Sequence, residues 1–397
     1  MGLFLNMPIQ ERSGRLSARY PHLFDFFFDL AERTAATDLC VPLKRDAADR
    51  EEYGEVRPWG PVRIVGLPHW SSAKMVVRRI HRIGPAAWRT VRGRVDGWDV
   101  VGAVVPSVVG SIFITVARRR GRPVFLLVRG EKQRTVRWIM GRHLSTMPYI
   151  WALQAMERAV RHWVADGVPT FVAGQELVER LAVPGSRVFN LYPGLSSDFP
   201  LLELPRAARS GPLRCVTVAR LSPEKGLDDL LRAVAAARAG GTDVRVTIAG
   251  DGPDRDALGT LAGELGLNGE VRFAGFVPHG PELVGVLDAA DVFVLPSRSE
   301  GLPHSIVEAM ARGLPIIGSE IGGIPELLAG GGGVVVPPGD PDALAQALVA
   351  LAVDPERRTA LSVASLERAQ RFAPQVVAAA MSARLAEAYP ELAGMCR

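Results

Sequence analysis

Cysteine is scarce in this chain of 397 residues: Cys40, Cys215 and Cys396 are scattered and form neither a CxxC pair nor a Cys/His cluster. This spacing argues against a disulfide framework and a zinc site, and it favours a reducing compartment. The amino terminus lacks the basic, apolar and small-residue regions of a signal peptide, so we expect no such peptide and a cytoplasmic location. Helix-turn-helix, RNP and zinc-finger signatures are also missing, so nucleic acid is not an expected partner.

Long uncharged runs are rare, and residues 100–117, VVGAVVPSVVGSIFITVA, are the one that approaches the length of a membrane span. The arginines at 118–120 follow it, as they would at a cytoplasmic membrane boundary. Pro106 and two glycines interrupt the run, however, and a further β-rich segment comes soon after it. We therefore predict a buried strand over residues 99–105 followed by a buried helix, with a membrane span as the alternative.

Charge is unevenly distributed along the chain. Residues 1–200 carry 29 Lys and Arg against 18 Asp and Glu, whereas the remaining 197 carry 18 against 24. A basic front half suggests an anionic partner, such as an acidic membrane surface or a phosphorylated substrate. A merely solvated basic surface would give the same count.

Short apolar runs alternate with helix-like runs throughout the chain, which predicts parallel sheets covered by helices. In the front half the predicted strands are GLFLNM, DLCVPL, VRIVGL, DVVGAVV, PVFLLV, PTFVAG and RVFNLY. In the back half they are LRCVTVA, VRVTIAG, VRFAGF, DVFVLPS, LPIIGS and GGVVVP.

The two series of strands meet at the proline-rich segment 200–212. We expect an α/β protein with two doubly wound Rossmann-like domains, 1–203 and 204–374, that face each other across a cleft. A final helical stretch at 375–397 is expected to pack back on the first domain. Ligands of such sheets bind beyond the carboxyl ends of the strands, so functional residues are sought in the loops there.

The segment VARLSPEKGLDDLLRAV places Arg220 and Lys225 in a loop between a strand and a helix. Leucines and a valine at helical spacing predict that one face of this helix packs on the sheet. Two cations beside the positive end of a helix form a suitable anion site, and adjacent phosphates fit an arginine fork and a lysine point charge. Alternatively, Lys225 is solvated and Arg220 pairs with Glu224 or an aspartate.

The segment IAGDGPDRDAL repeats this strand, turn and helix plan, and Gly250 would allow the backbone to approach a ligand closely. Residues 254–256 read Asp-Arg-Asp, formally the DxD pattern of metal–diphosphate sites. Because they follow a helix-starting proline, we interpret them as acidic residues that complement the helix dipole, and we expect no metal.

The segment SEGLPHSIVEAMARG contains two glutamates, Glu300 and Glu308, separated by seven residues. Ser305 and Glu308 fit a capping box, in which Glu308 would only close the start of a helix. In the functional interpretation, Glu308 accepts hydrogen bonds from one pair of sugar hydroxyls and Glu300 from those of a second sugar. Backbone N–H groups over residues 305–307 would then face a diphosphate between them. The loop IGGIPELL is compatible with ligand contact, although packing alone would explain its glycines.

Together, VARLSPEKGLDDLL, IAGDGP, VRFAGFVP, PSRSEGLPHSIVEAMARGLPIIGSEIGGIPELL and GGVVVPPGDPDALAQAL resemble, in order and spacing, the donor half of family 4 retaining glycosyltransferases. The resemblance is dense over residues 213–348 and implies the GT-B fold. It also implies metal independence, no cofactor and retention of the anomeric configuration.

The resemblance implies a role for each matching residue. It assigns Arg220 and Lys225 to the donor diphosphate, Glu308 to the ribose and Glu300 to the transferred sugar. It assigns the nucleobase to backbone near Phe276 and Val277. The donor-binding set that it implies is Arg220, Lys225, Gly250, Phe276, Val277, Glu300, Gly301, Leu302, Pro303, His304, Ser305, Ile306 and Glu308.

The front half resembles the family only in its alternation of strand-like and helix-like runs, and it departs from the family's pattern at two positions. Gly14 stands alone where many members carry a glycine pair, and Arg129 follows PVFLLV where the family often has a histidine. Arg129 could replace that histidine with a fixed charge, but it cannot act as a base. The alternatives to Arg129 are His69, His81, His143 and His162, although a structural or surface role is the expected one for each of them. Without a general base, Arg220 and Lys225 would stabilise the diphosphate, which would take the acceptor's proton.

We therefore expect a nucleotide-sugar-dependent retaining glycosyltransferase that acts on a glycan, a glycolipid or a small hydroxyl acceptor in cell-surface polysaccharide or glycoconjugate biosynthesis. Its catalytic residues would be Glu300, Arg220, Lys225 and Arg129. The basic front half suggests peripheral docking on the inner face of the cell membrane. Loop residues 131–145 would contribute to specificity. The alternatives are a GT-B nucleotide-sugar 2-epimerase and a catalytically silent sugar-nucleotide-binding subunit.

Overall fold

The structure is a computed structural model that describes residues 1–13, 15–18, 24–45, 54–56, 60–70, 75–76, 79–128, 147–191, 195–196 and 199–394. The chain divides into two compact units. The first unit comprises Met1–Tyr192 and Pro374–Arg397, and the second comprises Pro193–Ala373. Residues 193–203, which sequence reasoning assigned to the first domain, thus lie in the second unit.

The first unit contains ten described strands and five helices before the second unit begins. Its strands are β1 Gly2–Phe4, β2 Ile9–Arg12, β3 Arg15–Ala18, β4 Thr37–Arg45, β5 Gly54–Val56, β6 Val62–Pro68, β7 Val101–Val105, β8 Val124–Val128, β9 Thr170–Val172 and β10 Val188–Asn190. Its helices are α1 Asp25–Glu32, α2 Ile80–Arg94, α3 Val108–Arg119, α4 Met147–Ala165 and α5 Gln175–Leu181.

The parallel core of the first sheet has the order β6-β4-β1-β7-β8-β9-β10, with β1 paired to both β4 and β7. The first strand therefore lies in the middle, as in a doubly wound sheet. Strand β2 pairs in parallel with the end of β4, and β3 and β5 extend it in antiparallel fashion. These three short strands were not predicted from the sequence.

The second unit is a six-stranded parallel sheet covered by helices. Its strands are β11 Leu213–Val218, β12 Val244–Ala249, β13 Val271–Gly275, β14 Val292–Leu295, β15 Ile316–Ser319 and β16 Gly333–Val336. Its helices are α6 Leu227–Ala239, α7 Arg255–Glu264, α8 Pro281–Asp288, α9 His304–Ala311, α10 Ile324–Leu328, α11 Pro341–Val353 and α12 Pro355–Ala369. The chain then returns to the first unit as α13 Pro374–Ala388.

The central strands of both sheets are buried on both faces, which explains why they are almost continuously apolar. In β8, Val124, Leu126 and Val128 belong to one core cluster. Phe125 and Leu127, which point the other way, belong to a second cluster together with Met381 and Leu385 of α13. Helix α13 therefore packs on the first unit through its apolar face.

The apolar run at residues 100–117 forms β7 and α3, as predicted, and both elements are largely buried. Within the described ranges, no helix combines the length and apolarity needed to span a bilayer. The serine that follows the proline break, Ser107, accepts a hydrogen bond from the Gly110 N–H at 2.9 Å and so caps the start of α3.

Candidate functional site

The strand order of the second sheet positions the candidate site. The order β13-β12-β11-β14-β15-β16 places the first and fourth strands of this unit side by side. The chain turns to opposite sides after these two strands, so their carboxyl ends open a crevice in which doubly wound sheets bind ligands. The loop after β11 carries Arg220 and Lys225, and the loop after β14 carries Glu300. The topology therefore brings together the residues that the sequence had singled out.

The loop after β11 is held tightly against the loop after β14. Gly226 adopts a left-handed conformation with φ of 62°, and a Cβ at this position would lie 2.1 Å from the Pro296 carbonyl oxygen. Only glycine fits such an approach without displacing the backbone. Leu227, Leu230, Leu231 and Val234 of the following helix are all buried, as their helical spacing predicts.

Arg298 joins the same two loops by hydrogen bonds. Its backbone N–H donates to the Glu224 carbonyl oxygen at 2.8 Å. Its guanidinium group contacts Asp228 at 2.8 Å and Asp229 at 2.7 Å, both in the first turn of α6. The hydrogen bond to Asp228 is the main reason that the pKa of Arg298 is raised. This clamp sets the relative position of the two functional loops.

Lys225 and Glu300 form a direct ion pair at the crevice. The Lys225 Nζ donates to the Glu300 Oε1 at 2.5 Å, and the side chains are 20% and 9% exposed. Ser297, which is fully buried, donates its hydroxyl to the same carboxylate oxygen at 2.7 Å. Within the described part of the chain, no hydrogen bond engages the Glu300 Oε2. One oxygen is thus fixed by the protein, and the other can accept from a ligand hydroxyl.

Arg220 differs from Lys225 in having no anionic partner within the described ranges. The Arg220 side chain is exposed, and the residue lies near the start of the loop after β11. The alternative of a pair with Glu224 does not hold, because the carboxylate of Glu224 accepts a hydrogen bond from the Ser222 hydroxyl at 2.6 Å and shows no pairing with Arg220. Arg220 is therefore a cation that can meet an incoming anion.

The capping interpretation of Glu308 is wrong. Helix α9 begins at His304 with Pro303 as its N-cap, and no side chain caps it. Ser305 is thus already inside the helix, two residues after the N-cap position that it would occupy in a capping box. The Glu308 carboxylate is instead largely buried, with its Oε1 3.4 Å from the His279 Nε2. The Ile306 N–H bonds to the Pro303 carbonyl oxygen at 3.3 Å, so the predicted set of N–H groups facing a diphosphate does not include it.

Histidine 279 is an unpredicted neighbour of the site. Its ring centroid lies 5.4 Å from that of Phe199, and its imidazole lies beside the Glu308 carboxylate. His279 is in the loop between β13 and α8, and the neighbouring residues Phe276 and Val277 are 48% exposed and partly buried respectively. No periodic pattern in the sequence indicated His279, because its contacts join segments that are far apart in the chain.

The glycines of the site are explained by close backbone packing. Gly250 has φ of 142°, and a Cβ there would lie 1.8 Å from the Ala219 carbonyl oxygen. A Cβ on Gly322 would lie 2.3 Å from the Glu300 carbonyl oxygen, and the Gly323 N–H donates to the Gly301 carbonyl oxygen at 2.7 Å. The loop IGGIPELL therefore packs directly against the loop that carries Glu300, which agrees with the interpretation that packing explains its glycines.

The acidic pair in the DxD pattern lies at the start of α7. Asp254 is the N-cap residue, and Asp256 is in the first turn. Burial, followed by the charges of Glu224 and Asp228, raises the pKa of Asp254. In the described ranges, no group of three or more His, Cys, Asp or Glu side chains has the arrangement of a metal site.

Several predicted residues lie outside the described residues: Arg129, Gly14, His143 and the whole of the loop 131–145. Of the other histidines named as substitutes, His81 and His162 lie exposed on helices, and His162 is 3.6 Å from Asp166. His69 follows β6, and its pKa is lowered by burial and then by the charges of Lys44 and Arg79.

Comparison with known proteins agrees with this architecture. The model of the family described as glycosyl transferases group 1 matches residues 205–368. A protein of Salmonella typhimurium named putative colanic acid biosynthesis glycosyltransferase WcaL is 40% identical over 144 residues, or 34% of this chain and 35% of that protein. Alpha-D-kanosaminyltransferase of Streptomyces kanamyceticus is 32% identical over 254 residues, or 61% of this chain and 62% of that protein.

Two solved structures resemble the fold of this chain over nearly its whole length. Sucrose-phosphate synthase from Thermosynechococcus elongatus has a TM-score of 0.71 at 19% identity and covers 99% of this chain and 98% of its own. Anabaena HepE in complex with UDP has a TM-score of 0.66 at 19% identity and covers 97% and 99%. These likenesses confirm the predicted GT-B fold class. The sequence matches to the two relatives above span only 35% and 62% of their lengths.

Proposed function

We propose that the protein is a retaining glycosyltransferase that moves a sugar from a nucleoside-diphosphate sugar to a hydroxyl group of a glycan, a glycolipid or a small molecule. The observation that carries this proposal is the partly buried Lys225–Glu300 ion pair at the switch point of the second sheet. Arg220, which has no carboxylate partner among the described residues, lies on the same loop as Lys225. A carboxylate suits sugar hydroxyls, and cations on the adjacent loop suit a pyrophosphate.

Lys225 can hold Glu300 and a phosphate oxygen together, because an ammonium group has three donors and the pair occupies one of them. Glu300 would keep Oε1 on Lys225 and Ser297 and accept from a hydroxyl of the transferred sugar through Oε2. Glu308, on the first turns of α9, would accept from the ribose hydroxyls. The three side chains would thus fix a donor along its length.

In the proposed step, the bond between the anomeric carbon and the diphosphate oxygen breaks, and the acceptor oxygen bonds to that carbon on the same face. The leaving diphosphate takes the acceptor's proton. Arg220 and Lys225 would stabilise the negative charge that develops on the leaving group, which is a large electrostatic contribution in a pre-organised site. Two fixed cations perform the charge neutralisation that a divalent metal would otherwise supply, which supports the expectation of metal independence.

The names of the relatives support a role in assembling polysaccharides or glycoconjugates, since WcaL carries colanic acid biosynthesis in its name. UDP bound to HepE supports a nucleoside diphosphate as the donor's leaving group.

The proposal is tested by incubating the full chain with UDP-, GDP- and ADP-sugars in the presence of EDTA, with and without a panel of hydroxyl acceptors. We expect release of one nucleoside diphosphate and an α-configured product from an α-configured donor. Conversion of UDP-N-acetylglucosamine to its C2 epimer without acceptor would identify an epimerase instead. Tight nucleotide binding without turnover over the whole panel would identify a silent binding subunit.

Replacing Glu308 by glutamine should weaken nucleoside diphosphate binding roughly tenfold, because a neutral amide is a poorer partner for ribose hydroxyls than a carboxylate. Turnover at saturating donor should change little. Isothermal titration calorimetry and steady-state kinetics measure the two quantities. Ser305→Ala is the matched control: since α9 is capped at Pro303, its melting temperature should equal that of the parent. A loss of stability of about 1 kcal/mol in Ser305→Ala would restore the capping interpretation.

We further propose that helix α2 docks the protein on anionic membranes, where lipid-linked acceptors reside. Helix α2 has no acidic residue, and its exposed side chains include Arg82, Arg89, Arg92 and Trp88. Trp88 is 43% exposed, and the Arg92 guanidinium lies 4.8 Å from its ring centroid. An exposed indole among cations is typical of a helix that lies in a membrane interface.

The triple variant Arg82→Gln, Arg89→Gln, Arg92→Gln should bind vesicles containing phosphatidylglycerol about a hundredfold more weakly at low salt, at roughly 1 kcal/mol for each cation. Vesicle sedimentation measures this affinity, and neutral vesicles should show no such difference. The control is Arg232→Gln, Arg357→Gln, Arg371→Gln, which removes the same charge from exposed positions of the second unit. An equal loss in both triples would show that net charge alone, and not α2, determines binding.

A further inference from the structure

A cavity of about 320 Å³ lies in the first unit, and Arg118, Arg122 and Arg187 line it together with Asp166, Tyr389 and Glu391. Its volume is in the range of small-ligand sites. All of its lining residues belong to one unit, because the chain returns to the first sheet after α12.

The cavity lies at the amino-terminal edge of the first sheet. Val124, another lining residue, is the first residue of β8, and Arg187 immediately precedes β10. Val168 lines the cavity just before β9 begins at Thr170. Doubly wound sheets bind their substrates at the opposite, carboxyl edge, so this cavity is distinct from any site formed there.

Two of the three arginines keep an unneutralised charge. Arg122 donates to the Asp96 carbonyl oxygen at 2.5 Å, and Arg187 donates to the Ala388 carbonyl oxygen at 3.0 Å. Carbonyl oxygens hold a guanidinium group in place without cancelling its charge. In the part of the chain that the structure describes, neither arginine has a carboxylate partner.

The two carboxylates that line the cavity, Asp166 and Glu391, differ in whether they are already paired with a cation. Asp166 is committed to Arg118 at 2.7 Å, and that hydrogen bond lowers the pKa of Asp166. Glu391 is exposed and forms no ion pair within the described ranges. The cations of the cavity are therefore available to an anion, with Glu391 at the exposed side.

The cavity wall is fixed before any ligand arrives. The Tyr389 hydroxyl donates to the Val124 carbonyl oxygen at 2.8 Å, and the Val124 N–H donates to the same hydroxyl oxygen at 3.3 Å. Burial raises the pKa of Tyr389, while the hydrogen bond to Val124 and then the charges of Arg187 and Arg118 act in the opposite direction. A pre-organised wall reduces the ordering cost of binding.

We propose that this cavity binds a small phosphate-bearing dianion, either inorganic phosphate or a phosphate monoester, through the guanidinium groups of Arg122 and Arg187. The planar donor fork of arginine matches the oxygens of a phosphate group, and such charge-assisted hydrogen bonds are about twice as strong as neutral ones.

The test is isothermal titration of the full chain with sodium phosphate and, separately, with glucose 6-phosphate, at an ionic strength held constant with sodium chloride. Arg122→Gln and Arg187→Gln should each weaken binding roughly tenfold, and the double variant should abolish it. Arg122→Lys and Arg187→Lys should lose less, because the charge remains. Arg120→Gln is the matched control: Arg120 pairs with Asp96 at 2.8 Å and does not line the cavity, so binding should be unchanged.

Equal affinity in the parent and the double variant, or no saturable binding at millimolar ligand, would overturn the proposal. Without ligand, the melting temperature of each variant must match that of the parent. If the glutamine variants unfold, the phosphate affinities of the lysine variants test the proposal instead. Competition between inorganic phosphate and glucose 6-phosphate for one site supports a phosphate monoester as the ligand. Binding of inorganic phosphate without binding of glucose 6-phosphate supports free phosphate as the ligand. Loss of phosphate binding in Arg220→Gln but not in the double variant would assign the anion to the second unit and overturn the proposal, whatever the outcome for sugar transfer.

Discussion

Replacing Glu300 by glutamine should abolish sugar transfer while binding of the nucleoside diphosphate is retained. In the structure the Glu300 Oε1 is held by Lys225 and Ser297, which leaves Oε2 for a sugar hydroxyl. Glutamine keeps the shape of the side chain but removes the charge that would orient and stabilise the sugar as the anomeric carbon becomes electron-poor. We expect kcat to fall by on the order of a thousandfold, as when a pre-organised charged contact to the transition state is removed.

The measurement is steady-state transfer together with calorimetric titration of UDP or GDP. Glu367→Gln is the matched control, because it removes the same charge from an exposed position on α12. Since Glu300 is the ion-pair partner of Lys225, the melting temperature of Glu300→Gln must also be compared with that of the parent. Retention of at least half of the parental kcat in a folded Glu300→Gln protein would remove Glu300 from the proposed chemistry.

Removing the cations that would face the leaving diphosphate should give the second largest effect. Arg220→Gln is expected to lower kcat by about a hundredfold to a thousandfold and also to weaken nucleotide binding, because an anion would lose its charge-assisted donors in the ground state and in the transition state. Arg220 has no carboxylate partner within the described ranges, so its replacement should leave folding unaffected. Lys225→Gln should be at least as harmful, since it also releases Glu300 from its ion pair.

The roles of Lys225 and Arg220 can be distinguished by testing whether the effect of each substitution depends on the presence of Glu300. In a double-mutant cycle, Lys225→Gln should be strongly coupled to Glu300→Gln, whereas Arg220→Gln should be additive with it. Arg220→Lys should retain more activity than Arg220→Gln. Arg232→Gln, an exposed change on the helix that follows the same loop, is the control. Full activity of Arg220→Gln at saturating donor would show that the leaving group is stabilised elsewhere.

The sequence predicted the sheet strands that are apolar on both faces, because such runs have no stable alternative to burial between helices. It did not predict β2, β3 and β5, which are short and carry polar residues. Their pairing depends on β4 extending beyond β1, which is a tertiary feature. Local pattern therefore captured the parallel cores and missed the antiparallel extension.

The candidate site was predicted in part. Arg220, Lys225 and Glu300 were identified from their loops, and the strand order explains why those loops meet. Ser297 and Arg298 were missed, although the opposite charges of Arg298 and of Asp228 and Asp229 at the start of α6 could have suggested the clamp. The capping-box prediction was wrong because the pattern specifies only the spacing of Ser305 and Glu308. The N-cap of α9 is Pro303, two residues before the serine.

A crystal structure of the protein soaked with UDP or GDP tests the central claim most directly. We expect electron density for the diphosphate at Arg220 and Lys225 and for the ribose at Glu308, and an unoccupied position beside Glu300 where the sugar would lie. Density for the nucleotide located away from all of these side chains would contradict it.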